Sequence, residues 1–286
     1  MKIGIMSGAY INNGSIDYAK AKKHGYDCMD YQILCNTSGA LYAMTEAEYE
    51  KALTAERKKA NDAGIEFSQV HAPWPVDDST PESRAQKLED MKRAVRGAAH
   101  LDGKYMVTHP TRLFDAQWKE MPEVVEENIR FFGELSKYAA DFGIGICIET
   151  MPFVGDTISS PESIADFVKK SGIPNLSICL DTGHANLYGV KPADAVRMFG
   201  DKLATLHVHD NDRNHDNHWV PYFGSIDWSG FGKALNEVGY KGCLSLECRV
   251  MGGFSTVKNE YFEINDEIKQ NYELVLAQTA RHLTTV

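Results

Sequence analysis

Short β-rich runs alternate with longer amphipathic stretches from one end of this chain to the other, and this rhythm restricts the fold more than any other feature. The strand candidates fall at residues 2–7, 28–34, 66–71, 105–109, 145–149, 176–181, 204–209 and 243–247. Several, such as ICIE and LSICLD, are continuous apolar runs that close on a polar residue. Parallel strands buried on both faces have that pattern. Helical stretches at 18–24, 45–63, 81–100, 122–142, 161–170, 192–199, 228–238 and 261–282 separate them. Thr45 and Glu48 stand in capping-box spacing, and Ser160 precedes Pro161 as an N-cap before a first-turn proline. Gly25, Gly64, Gly103, Gly143, Gly172 and Gly239 follow helices, where a left-handed residue ends them.

Eight uninterrupted β/α units predict an α/β fold, a single-domain (β/α)8 TIM barrel over residues 1–286. The length fits, because such barrels need roughly 250 residues. A doubly wound open sheet is the structural alternative. No GxGxxG or GxxxxGK[ST] follows an early strand to support it.

The net charge of -10 gives no general attraction for nucleic acid or an anionic membrane, so neither is expected as a partner. The six cysteines include no CxxC pair, and Cys147, Cys179 and Cys243 sit in apolar runs. All six read as reduced, mostly buried thiols of a cytosolic protein. The opening MKIGIMSG has a strand's length and no signal-peptide core, and no apolar run reaches membrane-spanning length. The expected location is therefore cytoplasmic.

In a (β/α)8 barrel the chemistry sits at the C-terminal ends of the strands. The third strand ends at His71, the fourth at His109 and the fifth at Glu149. The sixth ends at Asp181, with His184 three residues on; the seventh reaches His207, with His209 and Asp210 beside it; the eighth ends at Glu247. Any one of these residues is weak evidence, since a lone strand-end Glu is more often a capping group and a lone His a hydrogen-bonded core residue. Gathered on one rim, carboxylates and imidazoles need a cation to organise them. His24, His100 and His282 fall in or at the ends of helices and receive no role.

The words ICIET, LDTGHAN, HVHDNDR and LSLECR, with the segment 216–228, resemble the xylose isomerase-like barrel superfamily over nearly the whole chain. That superfamily includes ketose 3-epimerases, other sugar (phosphate) isomerases and epimerases, inosose dehydratases and the endonuclease IV enzymes. Resemblance to the ketose 3-epimerases implies one divalent metal held by Glu149, Asp181, His207 and Glu247. It implies Glu149 and Glu247 as the proton-transfer pair, with His184 supporting the sugar oxygens and Arg213 gripping substrate hydroxyls. An oxygen-rich set with one imidazole favours Mn²⁺ first, with Mg²⁺ and Co²⁺ close behind. The implied reaction is proton transfer beside a carbonyl of a ketose or polyol, through an enediolate. His71 and His109 flank that site, and Trp74, following HAP, is a candidate to stack on a sugar face or to pack a loop.

Two alternatives stay open. Resemblance to endonuclease IV implies a trinuclear zinc phosphodiesterase, with His71, His109, His184, Asp216 and His218 joining the four residues above. An inosose dehydratase-like lyase is the other. Departures from the superfamily bear on substrate: its usual PGxG turn reads Pro221-Tyr222-Phe223-Gly224 here. The glycine pair in MGGF, residues 251–254, reads as a turn rather than a phosphate loop, because no Lys or Arg follows closely. An unphosphorylated sugar or polyol is therefore expected. Barrel enzymes of this type often pair, so a homo-oligomer is a further expectation.

Overall fold

The computed structural model describes residues 1–12, 14–75, 78–248 and 266–286. Eight strands form one parallel sheet: β1 (Lys2–Met6), β2 (Cys28–Tyr31), β3 (Glu66–His71), β4 (Tyr105–Thr108), β5 (Gly145–Glu149), β6 (Leu176–Asp181), β7 (Leu203–His207) and β8 (Cys243–Leu246). They run in the order β8-β1-β2-β3-β4-β5-β6-β7. Val208, just past β7, closes the ring. Its N–H donates to Ser245 O at 2.8 Å, and its carbonyl accepts from Glu247 N at 3.0 Å. The predicted (β/α)8 barrel is the fold observed.

The surrounding helices are α1 (Tyr18–His24), α2 (Glu46–Asp62), α3 (Pro81–His100), α4 (Val124–Ala140), α5 (Pro161–Ser171), α6 (Pro192–Phe199), α7 (Phe231–Glu237) and α8 (Asp266–Leu283). Their apolar stripes face the sheet. In α4, Phe131, Leu135 and Ala139 recur at helical spacing, and all are buried. They join the main core with Ile146, Ile148, Ile178 and Leu180, which point outward from their strands. The caps behave as read: Thr45 and Glu48 form the reciprocal box, and Ser160 Oγ accepts from Ser163 N at 3.1 Å.

Because strand side chains alternate, the same strands turn a second set into the barrel. Val107, Cys147 and Cys179 form a separate small cluster there. Glu149 lies two residues beyond Cys147 and Asp181 two beyond Cys179. The period that places thiols in the middle of the barrel thus places carboxylates at its mouth. At the opposite, N-terminal end a cavity of about 900 Å³ opens, lined by Lys2, Phe67, Tyr105, Thr205 and Tyr240 among others. None of the strand-end ligand candidates lines it. Among the described residues no helix is long and apolar enough to cross a membrane.

Several boundaries differ from expectation, each for a local reason. The second strand stops at Tyr31, and Ile33–Cys35 turns as a 3-10 helix. The expected helical stretch 228–238 starts only at Phe231, because Gly230 sits at φ 73° ahead of it. Thr182–Leu187, following β6, is helical because Asp181 caps it, its Oδ1 accepting from His184 N at 2.7 Å. Of the six glycines expected in left-handed conformation, Gly103 is not; Asp102, one residue earlier, takes φ 60° instead. Cys28 and Cys243 bring their sulfurs together across β1, and Cys35, Cys147, Cys179 and Cys248 are free. The strands on either side of β1 can bring these sulfurs together because Gly4 stands between them: a Cβ there would lie 2.7 Å from Cys243 Sγ and 3.1 Å from Cys28 Sγ. The MGGF segment lies outside the described residues.

Candidate metal centre

The ends of β5, β6, β7 and β8 bring Glu149, Asp181, His207 and Glu247 together. One ligand-type atom from each lies within 4.8 Å of all the others. Glu149 is the hub. Its Oε1 is 2.7 Å from His207 Nδ1, and its Oε2 is 3.0 Å from His109 Nε2 and 3.5 Å from His71 Nε2. Glu247 Oε2 meets the same His207 Nδ1 at 3.2 Å, while its Oε1 accepts from Gln32 Nε2 at 2.9 Å. Glu149 is 2% exposed and Asp181 fully buried. Bare carboxylates at that depth are costly unless positive charge meets them.

A second lobe adjoins the first. His184, His209, Asp216 and His218 also converge within 4.8 Å. His209 Nε2 lies 3.0 Å from Asp181 Oδ1, so Asp181 joins the two lobes. Asp216 Oδ2 faces His218 Nε2 at 3.0 Å and His184 Nε2 at 3.4 Å, and its buried Oδ1 has no hydrogen-bond partner. The His209 and His218 rings stack at 4.0 Å. Gly183 makes this packing possible, since a Cβ there would lie 1.9 Å from the His209 ring.

The imidazole orientations carry chemical information. His71 Nδ1 pairs with Ala72 O at 2.8 Å, His184 Nδ1 with Thr150 O at 2.7 Å, and His218 Nδ1 with Glu247 O at 2.7 Å. A carbonyl only accepts, so each of these nitrogens carries the proton. The Nε2 atoms turned toward the carboxylates are then lone pairs facing lone pairs. Either a proton or a cation must lie between them. Without a cation the site borrows protons. Burial pushes the His184 imidazole down, but Asp181, Asp216 and Glu149 outweigh it and hold it up at about 10. His218 likewise rises to about 9 against its own burial, chiefly through Asp216. Burial works against the Glu149 carboxylate too, yet His207, His109 and His71 keep it well below its ordinary range. His109 is the exception, where burial wins and the imidazole falls to about 4. The residues fit a divalent cation, which would bring the same charge without the protons. Three carboxylates and one imidazole in the first lobe suit Mn²⁺, Mg²⁺ or Co²⁺, whereas the imidazole-rich second lobe suits Zn²⁺ better.

The loop after β7 is fixed by a buried carboxylate that the sequence reading noted only as a neighbour. Asp210 accepts from Asn211 N, Tyr222 N, Ile226 N and Trp228 Nε1 at 2.8 to 3.1 Å. Tyr222, standing where the superfamily has glycine, adopts the left-handed φ of 75° that a glycine there would favour. Its ring lies near Trp228 and His282. Asp210→Ala strands four donors, three of them main-chain. The expected loss is about 3 kcal/mol of folding stability, read by denaturant unfolding. Unchanged stability would mean that the loop is held by other contacts.

The remaining candidates divide. Trp74 is half-buried and packs edge-on against His109 at 4.3 Å, which places it on the rim. Arg213 is exposed, at φ 69°, with its guanidinium lying over Gly189. That turn follows the short helix that carries His184. The sequence reading missed Asp30 and Gln32 from β2 and its exit, and gave His209 no ligand role. An acidic residue in the otherwise apolar β2 was the available signal.

A closed (β/α)8 barrel with acidic and imidazole side chains converging at the C-terminal mouth defines the class of protein. The chain belongs to the xylose isomerase-like TIM barrel family, whose model matches residues 18–277. It is 33% identical over 208 residues to the protein MJ1311 of Methanocaldococcus jannaschii, covering 69% of this chain and 71% of that one. It is 27% identical over 272 residues to a D-psicose 3-epimerase of Ruminiclostridium cellulolyticum, covering 88% and 86%. Among solved structures, a D-tagatose 3-epimerase-like protein superposes with a TM-score of 0.75 at 25% identity, covering 99% of this chain and 98% of that chain. The IOLI protein, solved with a bound zinc atom, shares the fold at a TM-score of 0.73 and 18% identity, covering 99% of this chain and 96% of that chain.

Proposed function

We propose that this protein is a divalent-metal-dependent sugar isomerase or epimerase, acting on a ketose or related polyol by proton transfer beside a carbonyl. The observation that carries this reading is the convergence of Glu149, Asp181, His207 and Glu247 within one 4.8 Å cluster at the barrel mouth. It is supported by relatives that are D-psicose 3-epimerases and inosose isomerases. Glu149, Asp181, His207 and Glu247 would hold the metal, Mn²⁺ first among the candidates, and it would supply Lewis acidity at the carbonyl. Glu149 and Glu247 meet His207 Nδ1 from two different strands, and by likeness to the ketose 3-epimerases the pair is assigned to taking a proton from one face of a carbon and returning it from the other. His109 and His71 hold Glu149 in place, and Gln32 holds Glu247. His184, with its Nδ1 proton fixed on Thr150 O and its Nε2 turned to Asp216 at 3.4 Å, is assigned to supporting the sugar oxygens. Trp74 supplies an apolar wall, and Arg213 is assigned to substrate hydroxyls.

A second reading has a specific observation in its favour. His71, His109, His184, Asp216 and His218 gather around the same four residues, the set a trinuclear zinc phosphodiesterase resembling endonuclease IV would use. The net charge of -10 weighs against it, because a duplex binder must neutralise several phosphates. A panel of ketoses and their phosphates, assayed beside cleavage of an abasic-site duplex, separates the two. Metal-dependent interconversion of an unphosphorylated ketose is the expected result. Duplex cleavage without any sugar turnover reverses the ranking, and silence in both assays favours a dehydratase or another lyase on the same residues.

A further inference from the structure

Asp30 is an unusual residue for its place. It lies in the middle of the four-residue strand β2, CMDY, and is fully buried. Its Oδ1 has no hydrogen-bond partner, and its Oδ2 receives only a long contact from Gln69 Nε2 (3.4 Å) besides its main partner. That partner is His207 Nε2 at 3.0 Å. A carboxylate kept this deep with one oxygen unpartnered is destabilising by itself. An extra residue in β3, Ser68, shifts the register between Met29 and Asp30. The shift falls where Asp30 and Gln69 turn toward each other inside the barrel, and bulges next to sites commonly re-aim side chains in this way.

The consequence concerns which nitrogen of His207 faces the cluster. His71, His184 and His218 are each fixed through Nδ1 by a main-chain carbonyl and so present Nε2. His207 is turned the other way. Its Nε2 is taken by Asp30, and its Nδ1 meets Glu149 and Glu247. A carboxylate on the far nitrogen also makes an imidazole a stronger electron donor than a carbonyl does. We infer that Asp30 is a positioning residue that fixes the Nε2–H tautomer of His207, orienting Nδ1 as the metal-binding atom and strengthening it as a ligand.

This inference rests on the metal reading above, and its test separates the two. Mn²⁺ binding is measured by calorimetry on the metal-stripped full chain, for wild type, Asp30→Asn and Asp30→Ala. The tautomer of His207 is read in the Mg²⁺-saturated proteins by long-range proton–nitrogen correlation. Wild type should show a protonated Nε2 and a bare Nδ1. Asp30→Ala should bind Mn²⁺ roughly 10- to 100-fold more weakly, with the Nε2 resonance of His207 shifted by loss of its carboxylate partner. Asp30→Asn, which keeps the side chain's size and an accepting oxygen, should fall between and carries the comparison should the alanine variant fail to fold. Wild-type Mn²⁺ affinity and an unchanged Nε2 resonance of His207 in either folded variant overturn the role of Asp30 alone. No Mn²⁺ binding by wild type overturns the metal reading and this inference together.

Discussion

Glu149→Gln should leave the barrel folded and reduce turnover by at least about a thousandfold, within the range for losing a positioned acid–base group. The side chains are nearly equal in size, so packing around β5 survives. The change removes the charge that His207, His109 and His71 all face, and puts an amide N–H where one of them needs an acceptor. Metal retention should weaken in parallel. Steady-state kinetics, elemental analysis and thermal melting on one preparation report the three effects separately. Full metal loading with normal activity would remove Glu149 from the site.

Adding Mn²⁺ to the metal-stripped protein should raise its melting temperature, and chelation should reverse the rise. A ligand that binds only the folded state stabilises it by about 2.7 kcal/mol at a hundred times its dissociation constant. For a chain of 286 residues that is roughly 4–5 °C. The physical source is the cluster itself, where buried carboxylates otherwise depend on protonated His184 and His218 for compensation. Because a cation replaces those protons, the shift should grow with pH through the range in which the imidazoles lose them. A melting temperature indifferent to Mn²⁺, Mg²⁺, Co²⁺ and Zn²⁺ would contradict a metal site.

The strand-end residues were legible in the sequence for a geometric reason. In a parallel barrel every strand delivers its last inward-facing side chain to the same mouth, so reading what each strand ends on amounts to reading the rim. The alternation CxE in β5 and CxD in β6 carries that information directly. Asp30 was not legible, because its role depends on a register shift against β3 and on the rotation of His207. The placement of His209 in the second lobe depends on Gly183 leaving room for its ring, a fact of three-dimensional packing. The Cys28–Cys243 pair is 215 residues apart in sequence, and only the closure of the sheet on both sides of Gly4 brings the two together. Arg213 shows the converse: its spacing from His207 was clear, yet a left-handed backbone conformation lays its side chain over Gly189.

If Glu149 and Glu247 move a proton on carbon, isotope exchange reports it most directly. A carboxylate that takes a proton from carbon can trade it with solvent before giving it back. Hydrolysis of a phosphodiester has no carbon–hydrogen step. The metal-loaded protein is incubated in deuterium oxide with the ketose it turns over best, and the sugar is followed by proton NMR. Deuterium should enter the carbon beside the carbonyl, in wild type but not in Glu149→Gln. Efficient cleavage of an abasic-site duplex, with no deuterium entering any sugar of the panel, would contradict the account.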